Sequence, residues 1–65
     1  MHILINDQPV EVPAGSTLAD AITQAQPSAP FAAALNREFV PRHRYASLQL
    51  RAGDTIEIIR PVTGG

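Results

Sequence analysis

The residue types that do chemistry are present in this 65-residue sequence but are nowhere gathered together. Asp7, Glu11, Asp20, Glu38, Asp54 and Glu57 are scattered, with no close sequence pair of the kind that serves as general acid and base. Ser16, Ser28 and Ser47 lack the strand–turn–helix setting of a nucleophile elbow. His2 opens a strand on the side away from Ile3, and His43 sits in the basic stretch Arg42-His43-Arg44, which reads as a solvated loop. Two histidines are too few for a zinc site without carboxylate help, and there is no cysteine to supply a thiolate or a disulfide. Gly15 and Gly53 read as turn glycines, so no phosphate-cradling loop is present. One group is left. Pro61 stops a strand, and Val62-Thr63-Gly64-Gly65 follows it. Extended, the run from Pro61 to Gly65 reaches roughly 17 Å at about 3.3–3.6 Å per residue. Glycine has no Cβ, so Thr63, Gly64 and Gly65 are the residues expected to thread a narrow channel, with the Gly65 carboxylate as the reacting group.

A scaffold must hold that tail out. Met1 to Asn6 opens with β-branched and aliphatic residues and Val10-Glu11-Val12 alternates apolar with polar across the Asn6-Asp7 turn, which predicts an N-terminal hairpin with Ile3, Ile5, Val10 and Val12 on the buried face. Thr17 and Asp20 have the spacing of a capping box, with Ser16 as the other candidate cap. Leu18, Ala21, Ile22 and Ala25 then recur at i, i+3, i+4 and i+7, one stripe of a short amphipathic helix. Pro27 and Pro30 end it. Phe31 to Leu35 is too short for a second helix and reads as a buried strand, and Glu38-Phe39-Val40-Pro41 as an edge strand. Tyr45, Leu48 and Leu50 are the anchors of a mixed segment. After the Ala52-Gly53-Asp54 turn, Thr55 to Ile59 is the clearest strand, with Ile56 and Ile58 inward. A right-handed crossover through the helix predicts that the strand following it lies parallel to a hairpin strand. The order is that of an α+β, ubiquitin-like β-grasp: a mixed sheet of four to five strands with one main helix on one face. Residues 1–65 form its single domain, of which 61–65 are a flexible tail.

Composition narrows the function classes. A chain of this length buries only about 60% of its unfolded surface, so it rarely encloses a substrate pocket, and a self-contained enzyme is not expected. The net charge of -1 disfavours nucleic acid as a partner. No apolar run is long enough for a membrane span, and no signal-peptide pattern opens the chain, so a soluble cytoplasmic protein is expected. All five basic residues are arginine. An activated carbonyl on this chain would therefore meet no lysine amine of its own.

With these features the sequence resembles the ThiS-type sulfur carriers. The likeness runs through Met1-His-Ile-Leu-Ile-Asn6, Pro13-Ala-Gly-Ser-Thr-Leu18, Ala34-Leu-Asn36, Glu38-Phe-Val-Pro-Arg42, Leu50-Arg-Ala-Gly-Asp54 and Gly64-Gly65. Asp7 and Arg37 stand where many members have glycine. The resemblance implies that an E1-like adenylating enzyme consumes ATP to adenylate the Gly65 carboxylate. Sulfur from a cysteine desulfurase then replaces AMP, leaving a thiocarboxylate that thiazole synthase uses in making the thiazole ring of thiamine. On this reading the chain is a cosubstrate with no catalytic residues, no metal and no tightly bound cofactor. Leu4 and Ile59 alternate away from the helix side, and with Phe39 or Tyr45 they are the candidate apolar patch for docking the partners. Three other readings share parts of the pattern: the small subunit of molybdopterin synthase, a ubiquitin-like modifier joined to lysines, and a non-covalent β-grasp binding module.

Overall fold

Five strands make one sheet, and the computed structural model describes residues 1–60 of it and its connections. The elements are β1 (His2–Ile5), β2 (Gln8–Glu11), α1 (Leu18–Ala25), β3 (Ala32–Leu35), β4 (Glu38–Val40), a 3-10 turn over Arg42–Arg44, and β5 (Thr55–Ile59). Their order across the sheet is β2-β1-β5-β3-β4. Both hairpins are antiparallel, and both turn through two non-glycine residues in the left-handed region. Asn6 and Asp7 lie at φ +49° and +66°, Asn36 and Arg37 at +50° and +70°. Two such residues in a row define the tight turn whose twist matches that of the strands it joins. Asp7 and Arg37 therefore adopt the backbone that glycine takes most easily, at a cost of roughly 1–2 kcal/mol each.

The expected parallel pairing is corrected in one respect. The strand that follows the helix, β3, pairs with no hairpin strand of β1 or β2; it is antiparallel to β5 and β4. The parallel pair is β1 with β5, in register Leu4 with Thr55 and Ile5 with Ile56. The physical reason lies in β5 itself. Rich in β-branched residues and flanked on both sides, it suits the centre of the sheet better than the alanine-rich β3. The edges go to β2 and β4, which carry Pro9 and are followed by Pro41 respectively, so neither is an open template for another strand.

Helix α1 starts where the sequence places it. Thr17 is the cap: its Oγ1 accepts from the Asp20 N–H at 3.2 Å, and the Asp20 carboxylate accepts from the Thr17 N–H at 2.9 Å. The next free donors find partners in the Tyr45–Leu50 segment, since the N–H groups of Leu18 and Ala19 donate to the carbonyls of Leu48 and Tyr45 at 2.8 and 2.9 Å. Ser16, the other candidate cap, is buried and donates instead to the Pro13 carbonyl. Leu18, Ala21 and Ile22 bury as the stripe predicts, whereas Ala25 is exposed at the helix end, where the chain turns off through Gln26 at φ +51°.

The core lies between α1 and one face of the sheet. Ile3, Ile5, Val12, Leu18, Ala21, Ile22, Ala33, Val40, Leu50 and Ile56 form one cluster, with Val10, Ile58, Tyr45 and Leu48 packed half-buried against it. A single helix covers one face only. The other face is left open.

Candidate functional site

Strand parity and register assign the open face residue by residue. On β1, Leu4 alternates with the buried Ile3 and Ile5 and pairs with Thr55, putting Thr55, Glu57 and Ile59 of β5 on the same side. On β3, Ala33 goes to the core, so Ala32 and Ala34 lie on the other side, in register with Ile59 and Glu57, Ala32 half-buried and Ala34 buried beneath its neighbours. Across β4, Phe39 lies opposite Ala34. The result is an apolar band across four strands, Leu4, Ile59, Ala32, Ala34 and Phe39, spanning roughly 14 Å at about 4.8 Å per strand. Thr55 and Glu57 lie within it.

Two large side chains on this band are exposed without cover. Phe39 is 70% accessible and Ile59 53%. They lie on the same face, on β4 and β5, with Ala32 and Ala34 of β3 between those strands. Leu4 is half-buried on the same face, paired with Thr55 at the other end of β5 from Ile59. Tyr45 is placed elsewhere: it stacks on Phe31 with ring centroids 6.4 Å apart and packs against the core cluster. The structure therefore gathers three of the four candidate interface residues, Leu4, Phe39 and Ile59, and separates the fourth. Ala32, Ala34 and Glu57 belong to the same face and were not among those candidates. Their signal was available in the alternation of β3 and β5, once the register of the two strands is known.

Glu11 of β2 has its carboxyl held below its ordinary value of 4.5, first by the hydrogen bond from the Met1 amino group. The neighbouring His2, with Nδ1 2.9 Å from the other carboxylate oxygen, adds to that lowering.

The band runs up to the end of β5, and Arg60 follows, exposed. Thr63, Gly64 and Gly65, the expected reacting tail, lie outside the described residues, as do Pro61 and Val62. What the structure places is their point of departure: they continue from the strand that carries Ile59, on the sheet that carries Phe39 and Leu4.

Nothing else in the described residues gathers groups for chemistry. No three His, Asp or Glu side chains come together to hold a metal ion. Two open grooves exist, one beside Phe39 between Glu38 and Arg44, the other between the Asn6 turn, the end of α1 and Arg60. Neither brings a nucleophile to a base. Among the described residues no helix is long and apolar enough to cross a membrane.

A five-stranded mixed sheet in this order, gripping one helix, is the β-grasp fold. Its closeness to a solved example is high: a crystal structure of the thiamine biosynthesis protein ThiS from Geobacter metallireducens superposes with a TM-score of 0.84 over the whole of both chains, at 19% identity. A solution structure of the Geobacter metallireducens thiamine biosynthesis protein gives 0.75, covering all of this chain and 88% of that one. In sequence, the chain is 36% identical over 66 residues to the sulfur carrier protein ThiS of Escherichia coli (strain K12), end to end on both sides. The ThiS family profile matches residues 3–65. The chain belongs to the ThiS family.

Proposed function

We infer that this protein is a sulfur carrier of thiamine biosynthesis, a cosubstrate and not a catalyst, whose reacting group is the Gly65 carboxylate. The observation that carries the reading is the family match, which continues through Gly64-Gly65. A carboxylate is a poor electrophile. An E1-like enzyme supplies the leaving group: a Gly65 oxygen attacks the α-phosphorus of ATP, pyrophosphate departs, and an acyl adenylate results. The terminal sulfur of a persulfide formed by a cysteine desulfurase then attacks the carbonyl and expels AMP, giving an acyl disulfide; a second thiol attacks the other sulfur, forming a disulfide and releasing the thiocarboxylate for thiazole synthase to consume. ATP belongs to the partner. In this scheme the five residues from Pro61 are the reacting arm, and the setting is cytoplasmic, where adenylating enzyme and desulfurase are found together.

The composition supplies a clean test. With no cysteine in the sequence, a thiocarboxylate is the one thiol-like nucleophile the chain can carry. After incubation with the adenylating enzyme, ATP and a sulfur donor, iodoacetamide is expected to add one carbamidomethyl group per chain, on the C-terminal fragment. This readout also separates sulfur gain from oxidation of Met1, which adds an almost equal mass without creating an alkylation site. Absence of the C-terminal label with an active enzyme overturns the reading.

The open face is the docking surface in this scheme, used by the adenylating enzyme and by the synthase in turn. Phe39→Thr with Ile59→Thr removes its two exposed anchors while keeping β-branched residues in the strands. If each anchor contributes as interface aromatics and aliphatics do, about 2 kcal/mol in total is lost and KM for the carrier rises about 30-fold. The thermal midpoint is expected to stay near that of the parent. An unchanged KM would remove this face from the docking interface.

A further inference from the structure

The turn asparagine Asn6 has a role that the transfer chemistry leaves unassigned. In the parallel ladder between β1 and β5, the N–H groups of Leu4 and Asn6 donate to the carbonyls of Asp54 and Ile56, both at 2.9 Å. The next rung calls for the N–H of Ile58 and the backbone carbonyl of residue 6. Asn6, at φ +49°, has already begun the hairpin turn, so its backbone leaves the ladder. Its side chain takes the rung. The Ile58 N–H donates to Asn6 Oδ1 at 2.8 Å, and Asn6 Nδ2 donates back to the Ile58 carbonyl at 3.4 Å. Asn36 does the matching work at the start of β5: its Oδ1 accepts from the Thr55 N–H at 3.0 Å and its Nδ2 donates to Asp54 Oδ1 at 3.1 Å.

Both clamps accept a β5 amide on Oδ1 and sit at opposite ends of the strand, Asn6 donating back to a backbone carbonyl and Asn36 to the Asp54 carboxylate. Asn36 holds the entrance of β5, far from the tail. Asn6 holds the exit. There the strand is already fixed on one flank by the pairing of Ile59 with Ala32, and Asn6 fixes the other flank. We propose that Asn6 is a positioning residue for acyl transfer: its carboxamide holds the exit of β5 on its β1 side, and thereby fixes the strand end from which the reacting residues continue. The proposal rests on the carrier reading. Once the open face has docked, the rate of reaction follows the fraction of tail arrangements that deliver the carbonyl to its target, and a strand end held on both flanks raises that fraction.

The prediction is a split between kcat and KM. Asn6→Gly keeps a residue that takes positive φ without strain but loses the clamp. In ATP–pyrophosphate exchange with the adenylating enzyme, its kcat is expected to fall about fivefold, the equivalent of one hydrogen bond, with KM unchanged because the docking face is intact. Asn36→Gly, the same loss at the other end of the strand, should keep the parental kcat. Asn6→Asp, which retains the acceptor for the Ile58 amide, should recover most of the rate. A parent chain that supports no pyrophosphate exchange overturns the carrier reading itself. A working parent with Asn6→Gly at the same kcat, or with Asn36→Gly falling equally, overturns the role of Asn6 alone. Should Asn6→Gly fail to fold, amide exchange of the parent decides: an Ile58 amide slowed at least about tenfold against an unstructured chain supports the clamp, and exchange at the unstructured rate overturns it.

Discussion

Removing Gly64 and Gly65 is expected to abolish sulfur loading, by at least about a thousandfold, while leaving the thermal unfolding midpoint where it was. The truncated chain still ends in a carboxylate, now on Thr63, so the functional group itself is not lost. What changes is where it can go. Two residues fewer draw the carboxylate back by about 7 Å at 3.3–3.6 Å per residue. A misplacement of only about 1 Å is enough to cost on the order of a hundredfold in rate. The new terminus also carries a β-branched side chain into whatever channel accepted glycine. Stability should not respond, because the core cluster is drawn from Ile3 through Ile56. The measurement is alkylation of the C-terminal fragment alongside a melting curve. The same variant separates the rival functions: a non-covalent binding module keeps its partner affinity, whereas a carrier and a lysine-linked modifier both fail. Conjugates to target lysines in cells would then point to the modifier.

Much of this scaffold is legible in the sequence because its signals are local. Asn6-Asp7 announces a hairpin turn, Thr17 and Asp20 a capped helix, and Thr55 to Ile59 a strand; the structure has all three. Burial follows the same logic, since alternation alone sends Ile3 and Ile5 inward and Leu4 outward. Adjacency between strands is different. Periodicity tells a residue which face it occupies but not which strand lies beside it, so the insertion of β5 between β1 and β3 could not be read from any window of the chain. Tyr45 shows the same limit. An aromatic residue outside a regular strand has no parity, and only the folded chain reveals that it stacks on Phe31 rather than joining Phe39. Asn6 was legible as a turn former, and Asn36 holds the matching place in the second hairpin. Their second role, as side-chain rungs on β5, depends on a strand about fifty residues away in one case and about twenty in the other.

The insertion of β5 makes one side chain decisive for everything else. Ile56 is fully buried, and it sits where the two halves of the sheet meet, opposite Ile5 on β1 and Leu35 on β3. Ile56→Ala is expected to destabilise the domain by about 4 kcal/mol, within the usual range for a fully buried aliphatic residue cut to alanine. A domain of this length has a total stability of roughly 3–10 kcal/mol, so this one change removes from about two fifths of it to all of it. Ile56→Val, which removes one methyl group, should cost about 1 kcal/mol and lower the midpoint by about 6 °C. Its loading by the adenylating enzyme should match the parent wherever both are folded. The contrast with the truncated chain is informative: one variant keeps the scaffold and loses the reacting end, the other keeps the reacting end and loses the scaffold. If unfolded Ile56→Ala chains still loaded sulfur at the parental rate, the end of the chain alone would be the substrate. The sheet, its open face and the Asn6 clamp would then have no part in presenting it. Loss of loading in step with loss of structure, followed by circular dichroism and C-terminal alkylation on the same samples, is the result the fold requires.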